Sequence, residues 1–253
     1  KGVLYEGNPQ PYWQILNQES QAAFRDLRVR RALQMAVDRN FIAQQLFSGR
    51  SRLQAIITPL PDEWRLPEEE LKQALAYNKE EARRLLAAAG GLPRMENICW
   101  EPPTNINIAQ LVQQYYKDIG FEVVIKPVDG VTMETNVYRR NRTFALSQAP
   151  ARQNFYATGD LEAFYHSQGI NNGANINDPE LDNLIVAQKR EFDRSKRGEL
   201  IKQIQRLVLD RVYYPIIVAP VSISAIQPWL RNYDPPFVAA GNMRHYAEMW
   251  IDK

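Results

Sequence analysis

Residues 96–148 read ENICW (96–100), EPP (101–103), TNINIAQLVQQYYKDIG (104–120), FEVVIKPV (121–128), DG (129–130), VTMETNVYRRNR (131–142) and TFALSQ (143–148). Three of these runs, 96–100, 121–128 and 143–148, are short, rich in apolar and β-branched residues, and bounded by turn formers, which is the pattern of strands. Between the first two, Thr104 or Asn105 is placed to cap a helix whose Ile108, Leu111, Val112, Tyr115 and Ile119 share one face, with Gly120 as its stop. Asp129-Gly130 turns the chain, and residues 131–141 continue as a second helix. The order is strand, helix, strand, helix, strand, with crossovers long enough for parallel pairing.

Right-handed crossovers bring the loops that leave the carboxyl ends of parallel strands to one edge, and ligands of open α/β sheets bind there. Those loops are Glu101–Asn105, Asp129–Gly130 and Ala149–Tyr156. The last is dense in hydrogen-bonding and aromatic groups. The candidate ligand contacts are therefore Gln148, Arg152, Gln153, Asn154, Phe155 and Tyr156, joined by Glu101, Thr104 and Asn105 from the first loop. The amides suit peptide-like or hydroxylated groups, the aromatic pair suits an apolar or sugar face, and Arg152 suits a carboxylate. Phe155 and Tyr156 equally suit a role capping the core, and Arg152 an ion pair with a neighbouring acid.

Outward from this region the chain reads as helices and loops. Upstream, Asp26 is expected to cap a helix with Val29, Ala32, Leu33, Ala36 and Val37 on one face, and Asp38 a second helix from Asn40 to Phe47 closed by Gly49. Residues 50–77 hold Pro59, Pro61 and Pro67 and read as a long irregular excursion. Asn78 with Glu81 forms a capping-box-like start to a helix that ends at Gly90-Gly91. Residues 1–20 read as an extended leading segment with little periodicity. Downstream, Gly159–Ser167 looks helical, and Asp178-Pro179 opens a helix with Leu181, Leu184, Ile185, Gln188 and Phe192 inward. Ser195 is expected to cap a longer amphipathic helix, followed by β-rich runs at 213–219 and 221–227 and an aromatic tail, Tyr246–Ile251. The expected class is α/β, a central mixed sheet flanked by helices.

Composition narrows function. With 253 residues, 45% of them hydrophobic, the chain buries a large core without staples. A net charge of +2 draws it to neither nucleic acid nor anionic lipid, and Arg139, Arg140 and Arg142 make too narrow a basic face for a nucleic-acid footprint. The single cysteine, Cys99, sits between Ile98 and Trp100 and reads as a buried small hydrophobe. No run of eighteen apolar residues is present. His166 and His245 lie far apart without partners at metal-ligand spacing, Glu68-Glu69-Glu70 reads as a helix N-terminal charge cluster, and no nucleophile elbow, P-loop, dinucleotide fingerprint or zinc signature occurs. A binding module is expected rather than an enzyme, with no cofactor and no metal.

At Phe24-Arg25-Asp26 and Arg28-Val29-Arg30-Arg31-Ala32-Leu33-Gln34-Met35-Ala36-Val37-Asp38-Arg39 the sequence resembles the extracytoplasmic solute-binding proteins of ABC importers, family 5, which bind dipeptides and oligopeptides. Tyr77–Ala82 running to Gly90, Leu111–Gly120 with Phe121-Glu122-Val123, and Asn177–Asp182 are similar to further family motifs in the same order. The resemblance implies a periplasmic-binding-protein-like lobe from a longer, monomeric, two-lobed receptor, periplasmic or otherwise extracytoplasmic and in some members lipid-anchored. Its lobes close on a small-molecule or peptide ligand and deliver it to ABC permease subunits in the membrane. In these terms residues 1–20 cross from a missing N-terminal lobe, 21–228 form the second ligand-binding lobe, and 229–253 pack toward the first. The family's third strand runs into an acidic loop that pairs with a peptide's amino group; here no acid occurs between Gln148 and Asp160. A free-standing α/β enzyme and a cytoplasmic interaction module remain the alternatives. A secretory signal and a further lobe upstream of Lys1 in the reading frame distinguish the receptor from both.

Overall fold

The computed structural model describes residues 3–57, 60–138, 144–151, 157–232 and 249–252. In chain order its main elements are β1 (Val3–Pro9), β2 (Tyr12–Leu16), α1 (Leu27–Met35), α2 (Arg39–Phe47), α3 (Glu68–Ala74), α4 (Lys79–Ala88), β3 (Met95–Trp100), α5 (Pro103–Asp118), β4 (Val123–Val128), α6 (Gly130–Asn136) and β5 (Leu146–Pro150). There follow α7 (Ala157–Asp160), which runs on into a π turn at Leu161–Tyr165, α8 (Pro179–Arg190), α9 (Arg194–Arg211), β6 (Ile216–Val218), β7 (Val221–Ile226), β8 (Leu230–Arg231) and β9 (Trp250–Ile251).

Side-chain caps set many of the helix starts. The carboxylates of Asp26 and Asp38 accept from Arg28 N and Phe41 N, and the Asn78 amide accepts from Glu81 N at 3.0 Å. Asp178 accepts from Glu180 N and Leu181 N with Pro179 at the first helical position. The cap of α9 differs from the expectation: Asp193, not Ser195, accepts from Lys196 N at 2.9 Å. Both are good capping residues, and the helix starts two residues earlier than the sequence suggests. The excursion at 50–77 is irregular only in its first part, since residues 68–74 form α3, with Glu68 and Glu69 beside Lys72 and Glu70 paired to Arg206 of α9.

The main sheet has the order β4-β3-β5-β2-β6. β3 pairs in parallel with both β4 and β5, while β2 is antiparallel to β5 and β6, so the sheet is mixed, as expected. Two boundaries move. Residues 12–16, expected within an unsupported leading segment, form a strand inside the sheet. Their periodicity is weak because the strand is covered on both faces, and such strands do not alternate in polarity. The third parallel strand is displaced from 143–148 to 146–150, since Ala149 and Pro150 pair with Trp13 and Tyr12 across β2. Of the expected second helix, 130–136 is helical; residues 139–141 lie outside the described residues, as does the basic trio Arg139, Arg140 and Arg142.

Each face of the sheet carries its own core. On one, Leu16, Leu146 and Met95 meet Val29, Leu33, Ile42, Ala82, Leu86, Ile108, Val112 and Tyr116 of α1, α2, α4 and α5. On the other, Trp13, Ile15 and Ala149 meet Met133, Phe164, Tyr165, Leu181, Ile185, Ile204 and Tyr214. Trp13 is fully buried, its ring tilted 31° against that of Tyr214 at 4.4 Å and edge-on to Phe164 at 5.4 Å. Cys99 is fully buried too, and burial pushes its thiol up to about 11, as suits a small hydrophobe. Two short pieces stand apart from the main sheet: an antiparallel ribbon of β1 with β7, and the pair β8 with β9.

Candidate ligand-binding edge

β3, β4 and β5 run parallel and side by side, so Trp100, Val128 and Pro150 end them along one edge. The main chain ties the first two loops together there, with Glu101 N donating to Val128 O at 3.0 Å. Glu101 and Thr104 are exposed on this edge, and Asn105 is buried.

Neither Thr104 nor Asn105 caps α5, contrary to the sequence reading. The helix starts after Pro102 with Pro103 at its first position, where the fixed φ suits a helix and the missing N–H is no loss. No side chain caps that end; Pro103 has no N–H and Asn105 N donates to Pro102 O at 2.9 Å, so the Thr104 N–H is the one left at the positive end of the helix dipole. The Asn105 Oδ1 is buried without a partner among the described residues.

Gln148 is not where a ligand contact belongs. It is fully buried on the α5 side of the sheet, where its Nε2 donates to Asn105 O at 3.2 Å and its Oε1 accepts from Gln14 Nε2 at 3.1 Å. The chain Gln14, Gln148, Asn105 crosses from β2 through β5 to the first turn of α5 and holds that turn against the strands. Gln148 is thus a positioning residue for the edge. Gln14 was missed by the sequence reading, because its role depends on the β2–β5 register that sets it opposite Gln148.

The second loop spends its acid on itself. Asp129 Oδ1 accepts from Val131 N and Thr132 N, and Oδ2 from Thr132 Oγ1 at 2.8 Å. Those Thr132 bonds hold the exposed carboxyl below its ordinary value. Trp100 is a further residue on this edge that the sequence reading treated only as a strand end. It is 36% exposed, and a Cβ on Gly130 would lie 3.5 Å from its Nε1, so its indole borders the second loop.

The third loop begins two residues later than expected, at Ala151, which is buried and whose N donates to Pro11 O at 2.7 Å. Arg152, Gln153, Asn154, Phe155 and Tyr156 lie outside the described residues. Asp160, fully buried, closes α7 just before the π turn. His166 is a loop-holding residue, its Nδ1 accepting from Gln168 N at 3.0 Å with Asp182 3.8 Å away; His245 lies outside the described residues. Among the described residues, no group of three or more His, Cys, Asp or Glu side chains is arranged to hold a metal ion.

A mixed sheet with parallel strands ending on one open edge defines an α/β binding lobe, and the comparisons with known proteins agree. Residues 1–172 match the family model described as "Bacterial extracellular solute-binding proteins, family 5 Middle", and the chain belongs to that family. The dipeptide-binding protein of Pseudomonas aeruginosa is 30% identical over 235 residues, covering 83% of this chain and 42% of that protein. The oligopeptide-binding protein AppA of Bacillus subtilis is 26% identical over 234 residues, covering 85% of this chain and 42% of that protein. The structure of AppA from Bacillus subtilis in complex with a nonapeptide superposes with a TM-score of 0.80 at 21% identity, over all of this chain and 52% of that one. MoaA from A. tumefacien R10 in complex with mannopinic acid gives 0.75 at 22%, over 93% of this chain and 48% of that one. These two likenesses bear on the fold. The chain spans about half the length of the relatives it matches, and those named here are binding proteins.

Proposed function

We propose that this chain is the second lobe of the solute-binding subunit of a peptide-type ABC importer, acting outside the cytoplasm. It supplies one wall of a cleft that closes on a peptide-like or other small polar solute, which the receptor then hands to a membrane permease. The observation that carries the reading is the family match over residues 1–172 in a chain half as long as its relatives. The parallel edge supports it as the ligand-facing wall. In the same reading residues 1–20 and 229–253 run to and from the first lobe. Part of the first segment is integral to this lobe, since β2 lies within the sheet.

At the edge, the uncapped start of α5 and Arg152 favour a carboxylate or a neutral polar group of the solute. The sequence between Gln148 and Asp160 offers no acid to pair with a peptide's ammonium. By their chemistry Gln153, Asn154, Phe155 and Tyr156 suit amide bonds and stacking, and Glu101 and Thr104 are exposed on the edge. The test is mass spectrometry of small molecules released when the intact two-lobed protein is purified and then denatured. A bound polar solute is expected; a protein that carries none and binds no member of a di- to nonapeptide mixture by calorimetry sinks the reading. Arg152→Ala should weaken the recovered solute's affinity, and unchanged affinity removes Arg152 from the site. The 253-residue chain alone should bind it weakly, because it forms one wall only; micromolar binding contradicts that.

A further inference from the structure

The ribbon of β1 and β7 leaves the main sheet where β2 and β6 begin and end, and its base is clamped by a three-residue strap, Arg50–Arg52. Ser51 bridges Pro220 in antiparallel fashion. Arg52 N donates to Ala219 O at 3.0 Å, Val221 N to Arg50 O at 3.2 Å, and Ala219 N to Ser51 Oγ at 3.3 Å. From the other side Gln10 N donates to Pro220 O at 2.9 Å. The lower end of β7 is therefore fixed to the lobe.

Just above this clamp the ribbon loses register. Pro9 pairs with Val221 and Glu6 with Ile223, so Gly7 and Asn8 oppose the single residue Ser222. A bulge of this kind leaves one residue out of the ladder and concentrates bending and twist at that point. The side chain of Arg52 reaches across it: Arg52 Nη2 lies 3.3 Å from Glu6 Oε2. One partner belongs to the fixed strap and the other to the ribbon beyond the bulge. Behind the strap lies an open groove of about 770 Å³, bordered by Gln44, Gly49, Ser51, Arg52 and Leu53.

We infer that the Arg52–Glu6 pair is a latch across this bulge, holding the ribbon at one angle to the lobe. On the two-lobe reading above, the far end of the ribbon is where the chain passes to the first lobe, so the latch biases closure. Arg52 is 41% and Glu6 61% exposed. A pair this exposed shifts a two-state balance by up to about five-fold, and high salt weakens it.

The test uses spin labels at Ala225→Cys on the ribbon and Ala87→Cys on α4, both exposed positions, with buried Cys99 out of reach of the label. Pulsed electron resonance on the intact protein, with no solute added, should give a narrow distance distribution that widens or shifts in Arg52→Glu and in 1 M NaCl. The double charge swap, Glu6→Arg with Arg52→Glu, should restore it, while thermal midpoints stay close to the parent's. A distribution unmoved by both Arg52→Glu and salt overturns the latch, whatever the number of lobes. In the same samples, X-ray scattering should show the closed fraction changing by up to about five-fold. An intact protein whose scattering fits a single lobe overturns the two-lobe reading instead, and the label distances still decide the latch.

Discussion

Arg39 opens α2, yet its side chain is spent elsewhere. It is almost wholly buried, and its guanidinium donates to four main-chain carbonyls: Nε to Ile216 O at 2.9 Å, Nη1 to Val37 O and Leu75 O at 3.1 Å each, and Nη2 to Gln34 O at 3.0 Å. These acceptors lie on β6, in the link after α1, at the end of α3 and within α1, so one side chain joins four pieces of the lobe. Burial pulls the guanidinium down to about 10, still far above neutral pH, so all four bonds carry charge assistance at pH 7. Four such bonds are worth about 6–12 kcal/mol in sum. Against them stands the cost of burying the charge, several kcal/mol, which Arg39→Met recovers. The replacement leaves carbonyls at the ends of elements without donors, and the net loss should be about 3–5 kcal/mol. Arg39→Lys places the charge without the planar fork and should lose about 2 kcal/mol or more. Urea unfolding followed by tryptophan fluorescence measures both. If Arg39→Met falls within about 1 kcal/mol of the parent, desolvation cancels the hydrogen bonds and the argument is wrong.

Three further outcomes follow from particular contacts. Gln148→Leu strips the acceptor from buried Gln14 Nε2 and the donor from Asn105 O, and should cost about 1–3 kcal/mol while speeding hydrogen exchange in the first turn of α5. Gly198→Ala puts a Cβ 2.6 Å from Trp64 Cδ1, and Trp64 has little freedom to retreat with Arg194 and Arg197 each 5.3 Å from its ring. The clash, about 1–3 kcal/mol, should outweigh the helix-propensity gain of about 1 kcal/mol and lower the thermal midpoint; a rise would refute the packing. Asp129 has a carboxyl held low by its bonds to Thr132 in the folded state. Its contribution is therefore present above the unfolded carboxylate value, about 3.9, and fades as pH falls through the lower folded value. Asp129→Asn should flatten the acid limb of the stability profile, and an unchanged limb would exclude this role.

Much of the lobe was legible because the signals were local. The alternation between residues 96 and 128 combines strand composition, a 3.6-residue apolar period and glycine stops, each within a few residues, and β3, α5 and β4 form there. The capping residues Asp26, Asp38, Asn78 and Asp178 act as read, because an N-cap needs only its own next turn. Strand β2 was not legible: Tyr12–Leu16 is covered on both faces, and a two-sided strand has no polarity pattern to show. The end of β5 was misplaced for a related reason, since Ala149 and Pro150 have little strand preference and are held by their pairing with β2.

By itself the sequence determined the class of the lobe, the parallel run of three of its strands and the edge where they end, because these follow from short-range pattern and the handedness of the chain. The tertiary structure decided which polar groups on that edge remain available. Gln148 has the chemistry of a ligand contact, yet the β2–β5 register seats it under α5 as a strut, while Asp129 closes on its own helix. Chemistry is written in one residue, but exposure is settled by partners more than a hundred positions away, and the Gln14–Gln148 pair, 134 residues apart, exists only once the sheet has formed.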